Sequence, residues 1–144
     1  MNKALEFLRQ QVGQKAQNSP SPLMRWFNPT LLHVAEGEAH FQYLIRAEMT
    51  NPMGILHGGM SAAIIDDVIG CAVFSLGEPE FYNTLSNTIE YMSAAAVNDH
   101  IIAEAIIDKK GNQLIHAQCV LWNEQRSRAI TKGRSILLKT SQKK

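Results

Sequence analysis

The stretch NPMGILHGGMSAAIIDDVIG, Asn51 to Gly70, brings an amide, a histidine, two adjacent glycines and two acids into one turn and one helical pattern. His57, Gly58 and Gly59 stand where the helix should begin. Backbone N–H groups there have no partner within the helix and point toward any incoming negative charge. Glycine leaves them open to a ligand. This is the local chemistry of an oxyanion hole. The plainer alternative is a Gly-Gly turn with a histidine near the cap.

Asp66 and Asp67 interrupt an otherwise apolar helix. At about 100° per residue, Met60, Ile64, Ile65, Val68, Ile69, Cys71 and Ala72 gather on an arc opposite Asp66, the face a sheet would bury. Around Asp66 lie Gly59, Ala62, Ala63, Gly70 and Val73, nearly all small. Glycine inside a helix costs about 1 kcal/mol relative to alanine, so the collar of small residues needs a reason. Asp67 lies about 100° away, near Phe74 and Met60. From His57 to Asp66 the helix turns through about 900° and rises about 13.5 Å, which leaves the two on opposite sides. If both serve one site, the acid must come from a second copy of the chain. The spacing predicts a dimer.

The elements that must position these residues follow from periodicity. MNKALEFLRQQVGQKAQ has Leu5, Leu8 and Val12 at helical spacing, NSPSP breaks it, and LMRWFNP reads as a connector. TLLHVAEGEAHFQYLIRAE predicts two strands around Gly37, and the long helix ends near SLGEP. YNTLSNTIEYMS, HIIAEAIIDKK, QLIHAQCVLWNE and SRAITKGRSILLK are strand-length runs, with KKGNQ the clearest hairpin turn and TSQKK a frayed tail. An uninterrupted β-rich half cannot be doubly wound. The order predicts an α+β fold, an antiparallel sheet packed on one central helix. Residues 1–28 form the N-terminal helix and connector, and 29–140 the body of a single domain.

Composition excludes several classes. A chain of 144 residues with 45% hydrophobic and 19% charged residues is ordinary for a globular protein. Its formal net charge of +1 advertises neither nucleic acid nor a membrane surface. The N-terminus lacks the apolar core of a signal peptide, and no run is long enough to span a bilayer, so a cytoplasmic location is expected. Cys71 and Cys119 have no metal-ligand spacing and read as free, buried thiols. His33, His40, His100 and His116 are scattered over strands, so no metal is expected. A Ser-His-Asp reading would need Ser61, but Asp66 points away from it and no G-x-S-x-G turn exists. QRSRAITKGR is the most basic stretch; Arg128, Lys132 and Arg134 share strand parity, with Arg126 just before. Met24, Trp26, Phe27 and Trp122 read as core or interface packing rather than as an acyl pocket.

The motif N-x-x-G-x-x-H-G-G, with an acid on the helix that follows two strands, resembles the hotdog-fold acyl-CoA thioesterases of the phenylacetate-degradation (PaaI-like) type. The resemblance runs from about Pro29 to Leu138 and includes TIEYMSAAA. It implies an antiparallel sheet wrapped around the long helix and homodimers joined edge to edge with shared active sites. Assembly of such dimers into a homotetramer is the further expectation. It implies that Asp66 acts as general base or nucleophile and that the Gly58 N–H polarises the thioester carbonyl. His57 and Gly59 would lie beside it, and Asn51 would help orient the group. Thr84 falls where a hydroxyl would hold the acid or the water, with Asn83 or Leu85 as counterpart if the register slips by one.

The chemistry is consistent with this role. A thiol has a pKa of about 8.5, so a thiolate departs without a strong general acid. One carboxylate and an oxyanion hole would suffice. The expected partner is an acyl-CoA substrate, with no separate cofactor, and Arg126, Arg128, Lys132 and Arg134 are the candidates for its phosphates. A non-catalytic acyl-CoA-binding protein and a hotdog dehydratase are the alternatives.

Overall fold

The computed structural model describes residues 1–143. The helices are α1 (Lys3–Gln11), α2 (Pro22–Phe27) and α3 (Gly58–Phe74); the strands are β1 (Thr30–Ala35), β2 (Glu38–Leu44), β3 (Glu80–Tyr91), β4 (His100–Lys110), β5 (Leu114–Asn123) and β6 (Ala129–Lys143). The strands form one antiparallel sheet in the order β1-β2-β4-β5-β6-β3. This is the hotdog arrangement that the motif led us to expect. β3 follows α3 in the chain yet lies at the sheet's far edge, paired only with β6 among the described strands.

α3 lies on one face of the sheet and carries the expected stripe. Ile64, Ile65, Val68, Ile69 and Ala72 are fully buried, and Cys71 nearly so. Val73, assigned to the acid's side of the helix, is buried as well. The helix approaches β6 so closely that a Cβ on Gly133 would stand 2.7 Å from Ile65 Cγ2. Any larger residue at 133 would force Ile65 of α3 and Ile89 of β3 to move. Odd-numbered Thr131, Gly133 and Ser135 therefore face α3, and Lys132 and Arg134 face away from it.

Two segments differ from the sequence expectation. The connector contains a six-residue helix, α2, too short to reveal a period of 3.6. Ser21 Oγ caps it by accepting from the Met24 N–H (3.1 Å), Pro22 opens it, and Asn28 closes it at φ 53°. Arg46 fastens α2 to the sheet end. Its guanidinium donates to the carbonyls of Trp26 and Phe27, each at 2.9 Å, and lies 4.6 Å from the Trp26 ring. The second difference is the tail, where β6 continues to Lys143 because Glu80 of β3 pairs with it and binds its Nζ at 3.1 Å. Lys144 lies outside the described residues.

α1 and α2 form a strap over α3 rather than a loose appendage. Leu5, Leu8, Met24 and Phe27 are buried in the same core as the sheet and α3. Asn2 Nδ2 donates to the Ser75 carbonyl at 2.8 Å, and Ser21 Oγ donates to Asp67 Oδ1 at 3.1 Å. The strap is thus pinned both at the end of α3 and at its middle. Both cysteines are free and buried, and burial pushes the Cys71 thiol up to about 12.

Candidate active site

The turn before α3 is organised by Asn51. Its Oδ1 accepts from the N–H groups of Met53 (2.9 Å) and Ile55 (3.3 Å), while Gly54 turns the chain at φ 75°. Asn51 Nδ2 makes no hydrogen bond among the described residues. His57 is the N-cap of α3, and its Nδ1 accepts from the Gly59 N–H at 2.9 Å. A neutral ring that accepts at Nδ1 carries its proton on Nε2 and presents it outward. The cap consumes the Gly59 donor. The Gly58 N–H has no such partner among the described residues, so the helix start offers a single open donor for an oxyanion.

Tyr91, unnoticed in the sequence, closes over this point. Its hydroxyl donates to the Gly58 carbonyl at 2.9 Å, and its ring atoms would stand 3.2 Å from a Cβ at position 58. A side chain at 58 would crowd the Tyr91 ring, which would have to shift by a few tenths of an ångström to admit it. Ser61 is buried, and no hydrogen bond joins its hydroxyl to the His57 ring among the described residues.

Asp66 of α3 meets β3 at Thr84 and Asn87, short of Tyr91 at the strand's end. Its Oδ1 accepts from Thr84 Oγ1 at 3.0 Å and from Asn87 Nδ2 at 3.3 Å; Oδ2 has no hydrogen bond among the described residues. Thr84 is the residue that meets the acid, rather than Asn83 or Leu85. Asn87 was missed because residues three apart on a regular strand face opposite sides. Here Thr84 pairs with Leu137 and Ser86 with Ile136, so Leu85 is an extra, bulged residue that brings Thr84 and Asn87 onto one face. The polar run NTLSNT was the available signal. Ser135 Oγ in turn donates to Asn87 Oδ1, fixing which way the amide points. A chain of donors from β6 through β3 holds one carboxylate oxygen and leaves the other free.

Asp67 has a different setting. Burial pushes its carboxyl up from 3.8 to about 6, the neighbouring Asp66 charge adds to this, and the Ser21 hydrogen bond opposes it. Its Oδ2 is buried without a hydrogen-bond partner, as is the hydroxyl of Tyr43, whose own ionisation the Asp67 charge opposes. The folded protein therefore holds this proton more tightly than the unfolded chain does. The stability this confers is fully present below about pH 3.8 and is lost as pH rises through about 6. Asp67→Asn is expected to stabilise the fold at pH 8 by roughly 3 kcal/mol, with no gain at pH 3.5. Denaturant melts at the two pH values check this, and an equal change at both would contradict it.

The basic residues separate into two kinds. Arg126 is bound to Glu104 (Nε to Oε2, 2.6 Å), and Arg128 donates to Ser93 Oγ and to the Ala94 carbonyl. Arg128 thereby steadies the loop whose Ala95 carbonyl accepts from the Leu56 N–H at 2.7 Å, one residue before the His57 cap. Lys132 and Arg134 are exposed on the face of the sheet away from α3, with no ion pair among the described residues. His33 and His40, scattered in sequence, are brought together by the β1–β2 pairing, with ring centroids 4.8 Å apart beside Glu38.

Within one chain the structure joins Asp66 to Thr84 and Asn87, and Gly58 to His57 and Tyr91, but it does not join the two groups. A central helix laid on a six-stranded antiparallel sheet, with an open donor at its start and an anchored acid at its middle, defines a hotdog-fold protein of the thioesterase kind. The comparisons agree. The chain belongs to the thioesterase superfamily, whose family model matches residues 53–130. It is 29% identical over 105 residues to human acyl-coenzyme A thioesterase 13, covering 73% of this chain and 75% of that protein. The E. coli PaaI protein from the phenylacetic acid degradation operon superposes with a TM-score of 0.83 at 16% identity, over 99% of this chain and 97% of that one. A Streptococcus mutans protein, smu.793, solved bound to acetyl CoA, superposes with a TM-score of 0.74 at 17% identity, over 81% and 92%.

Proposed function

We propose that this protein is an acyl-CoA thioesterase that releases a carboxylic acid and coenzyme A. The observation that carries the reading is the carboxylate of Asp66, held through Oδ1 and open at Oδ2, on a helix whose start presents an unpaired N–H at Gly58. Asp66 attacks the thioester carbonyl or draws a proton from the water that does. The Gly58 N–H receives the developing oxyanion, and Asn51 Nδ2 and His57 lie beside it to orient the group. Because thiolate is a good leaving group, no general acid is required. Human acyl-coenzyme A thioesterase 13, similar over most of this chain, supports the substrate class, as does the acetyl CoA bound by the S. mutans neighbour.

The two halves of the site come together when Asp66 of one chain meets the Gly58 turn of a second, which makes the working unit a homodimer with shared sites. The unpaired outer edge of β3 offers the seam, and pairing of dimers would give a homotetramer. Lys132 and Arg134 are better placed than Arg126 and Arg128 to meet the phosphates of coenzyme A, since the latter two are already engaged. No described helix is long and apolar enough to cross a membrane. The two free thiols fit a reducing, cytoplasmic setting. A panel of aryl and aliphatic acyl-CoAs assayed for thiol release is expected to yield turnover. Binding without release would point to the acyl-CoA-binding alternative.

A further inference from the structure

Tyr91 is the last residue of β3 and is 59% exposed, yet its hydroxyl donates to the Gly58 carbonyl at 2.9 Å rather than facing only water. A carbonyl can only accept, so the phenol proton lies on this bond. The same peptide unit is tied at its other end, where the Gly59 N–H donates to His57 Nδ1 at 2.9 Å. Glycine stands on both sides of that peptide, so no Cβ restricts its rotation, and it lies in the first turn, where helices fray. On the other side of the Gly58 donor, the His57 N–H donates to the Met49 carbonyl at 2.9 Å. The His57 carbonyl accepts from the N–H groups of Met60 and Ser61 at 2.9 and 3.0 Å. The Gly58 N–H therefore sits in a peptide whose neighbours are pinned on each side, and Tyr91 supplies the tie that comes from the sheet. Tyr91 is itself set in place, because the N–H groups of Met92 and Ser93 donate to the Ile130 carbonyl of β6 at 2.9 and 3.1 Å.

We infer that Tyr91 is a positioning residue for thioester hydrolysis: its hydroxyl locks the Gly58–Gly59 peptide and so keeps the Gly58 N–H aimed at the carbonyl oxygen. This rests on the thioesterase reading and adds to it a side chain that acts through Gly58 without touching the reacting atoms. A hydrogen bond from an exposed hydroxyl competes with water and contributes little to stability, so its removal should leave the fold intact. Its effect is felt where charge develops. The donor holds an oxyanion more strongly than a ground-state carbonyl, so a poorly aimed N–H slows turnover more than it weakens binding. Tyr91 belongs to the same chain as the Gly58 it holds, so in a shared site it travels with the oxyanion half rather than with Asp66.

The test compares the native protein with Tyr91→Phe, which keeps the ring against Gly58 and removes only the hydroxyl. With an acyl-CoA that the native protein hydrolyses, kcat should fall about tenfold, KM should stay within about twofold, and the thermal melt should match the native one. A second readout follows the substrate carbonyl itself. In an Asp66→Asn background, where bound acyl-CoA survives, adding Tyr91→Phe should move the infrared band of an isotope-labelled thioester carbonyl to higher wavenumber, because a poorly aimed donor polarises the bond less. An unchanged kcat, a carbonyl band that does not move, or a Tyr91→Phe protein that fails to fold overturns the inference and leaves the thioesterase reading standing. A raised KM at native kcat does the same, by making the hydroxyl a substrate contact. No thiol release from any acyl-CoA by the native protein overturns that reading, and the inference with it.

Discussion

Asp66→Asn is expected to lower kcat for acyl-CoA hydrolysis by about a thousandfold while the protein folds as before. The amide has the shape of the carboxylate and can still accept from Thr84 and Asn87, so the hydrogen bonds that hold position 66 survive. What is lost is the basic oxygen that faces the substrate. Asn87→Ala should cost less, about tenfold, because Thr84 alone would still hold Oδ1, though with more freedom. That loss should fall on kcat rather than KM, as expected of a residue that orients the acid without touching the substrate. Asp67→Asn should leave turnover within about a few-fold of native, since its carboxyl lies under Ser21 rather than toward the carbonyl. Steady-state kinetics with far-ultraviolet circular dichroism on the same samples decide the matter. Comparable losses in Asp66→Asn and Asp67→Asn would show that the wrong acid had been chosen.

Mixing two inactive variants should restore activity if the site is shared. Asn51→Ala damages the oxyanion turn and Asp66→Ala removes the acid. A heterodimer of the two has one site with both defects and one with neither. At random exchange half of the dimers are mixed, so about a quarter of native activity should return. The argument rests on where the structure puts the two halves. Asp66 bonds to Thr84 and Asn87, whereas Gly58 meets Tyr91, further along the same strand. At about 3.3 Å per residue, the separation on β3 alone exceeds the reach of a thioester group. Absence of recovery after subunit exchange has been proven by mass spectrometry would place both residues in one chain's site. A fully active monomer in light scattering would have the same force.

Much of this was legible before any coordinates. The apolar stripe of α3 follows from period alone, since a helix that lies on a sheet must bury about half its surface. The strands flanking Gly37 and the KKGNQ hairpin were equally readable, because turn residues and alternation are local signals. The helix start was also local: His57, Gly58 and Gly59 lie where the backbone donors must be free. α2 was missed for the opposite reason. Six residues show too little of a period, and what holds them is Arg46 from beyond the next two strands.

The sequence by itself determined the chemistry on offer, an open donor at a helix start and an acid set among small residues, and it determined that one helix could not bring them to one point. Rise and rotation per residue are fixed by the backbone, so that conclusion needs no neighbours. Only the tertiary structure decided which groups hold the acid. The bulge at Leu85 changes the parity of β3, and a change of parity is invisible in a strand read alone. It also decided between the two aspartates. Asp66 is exposed beside donors on β3, whereas Asp67 is half-buried beneath the strap and driven toward its neutral form. Adjacent acids on one helix differ in what packs over them, and packing is set by segments distant in the chain. The small collar around Asp66 was visible as a pattern, but the pocket that Asp66 and Gly70 border exists only once the N-terminal helices have folded back.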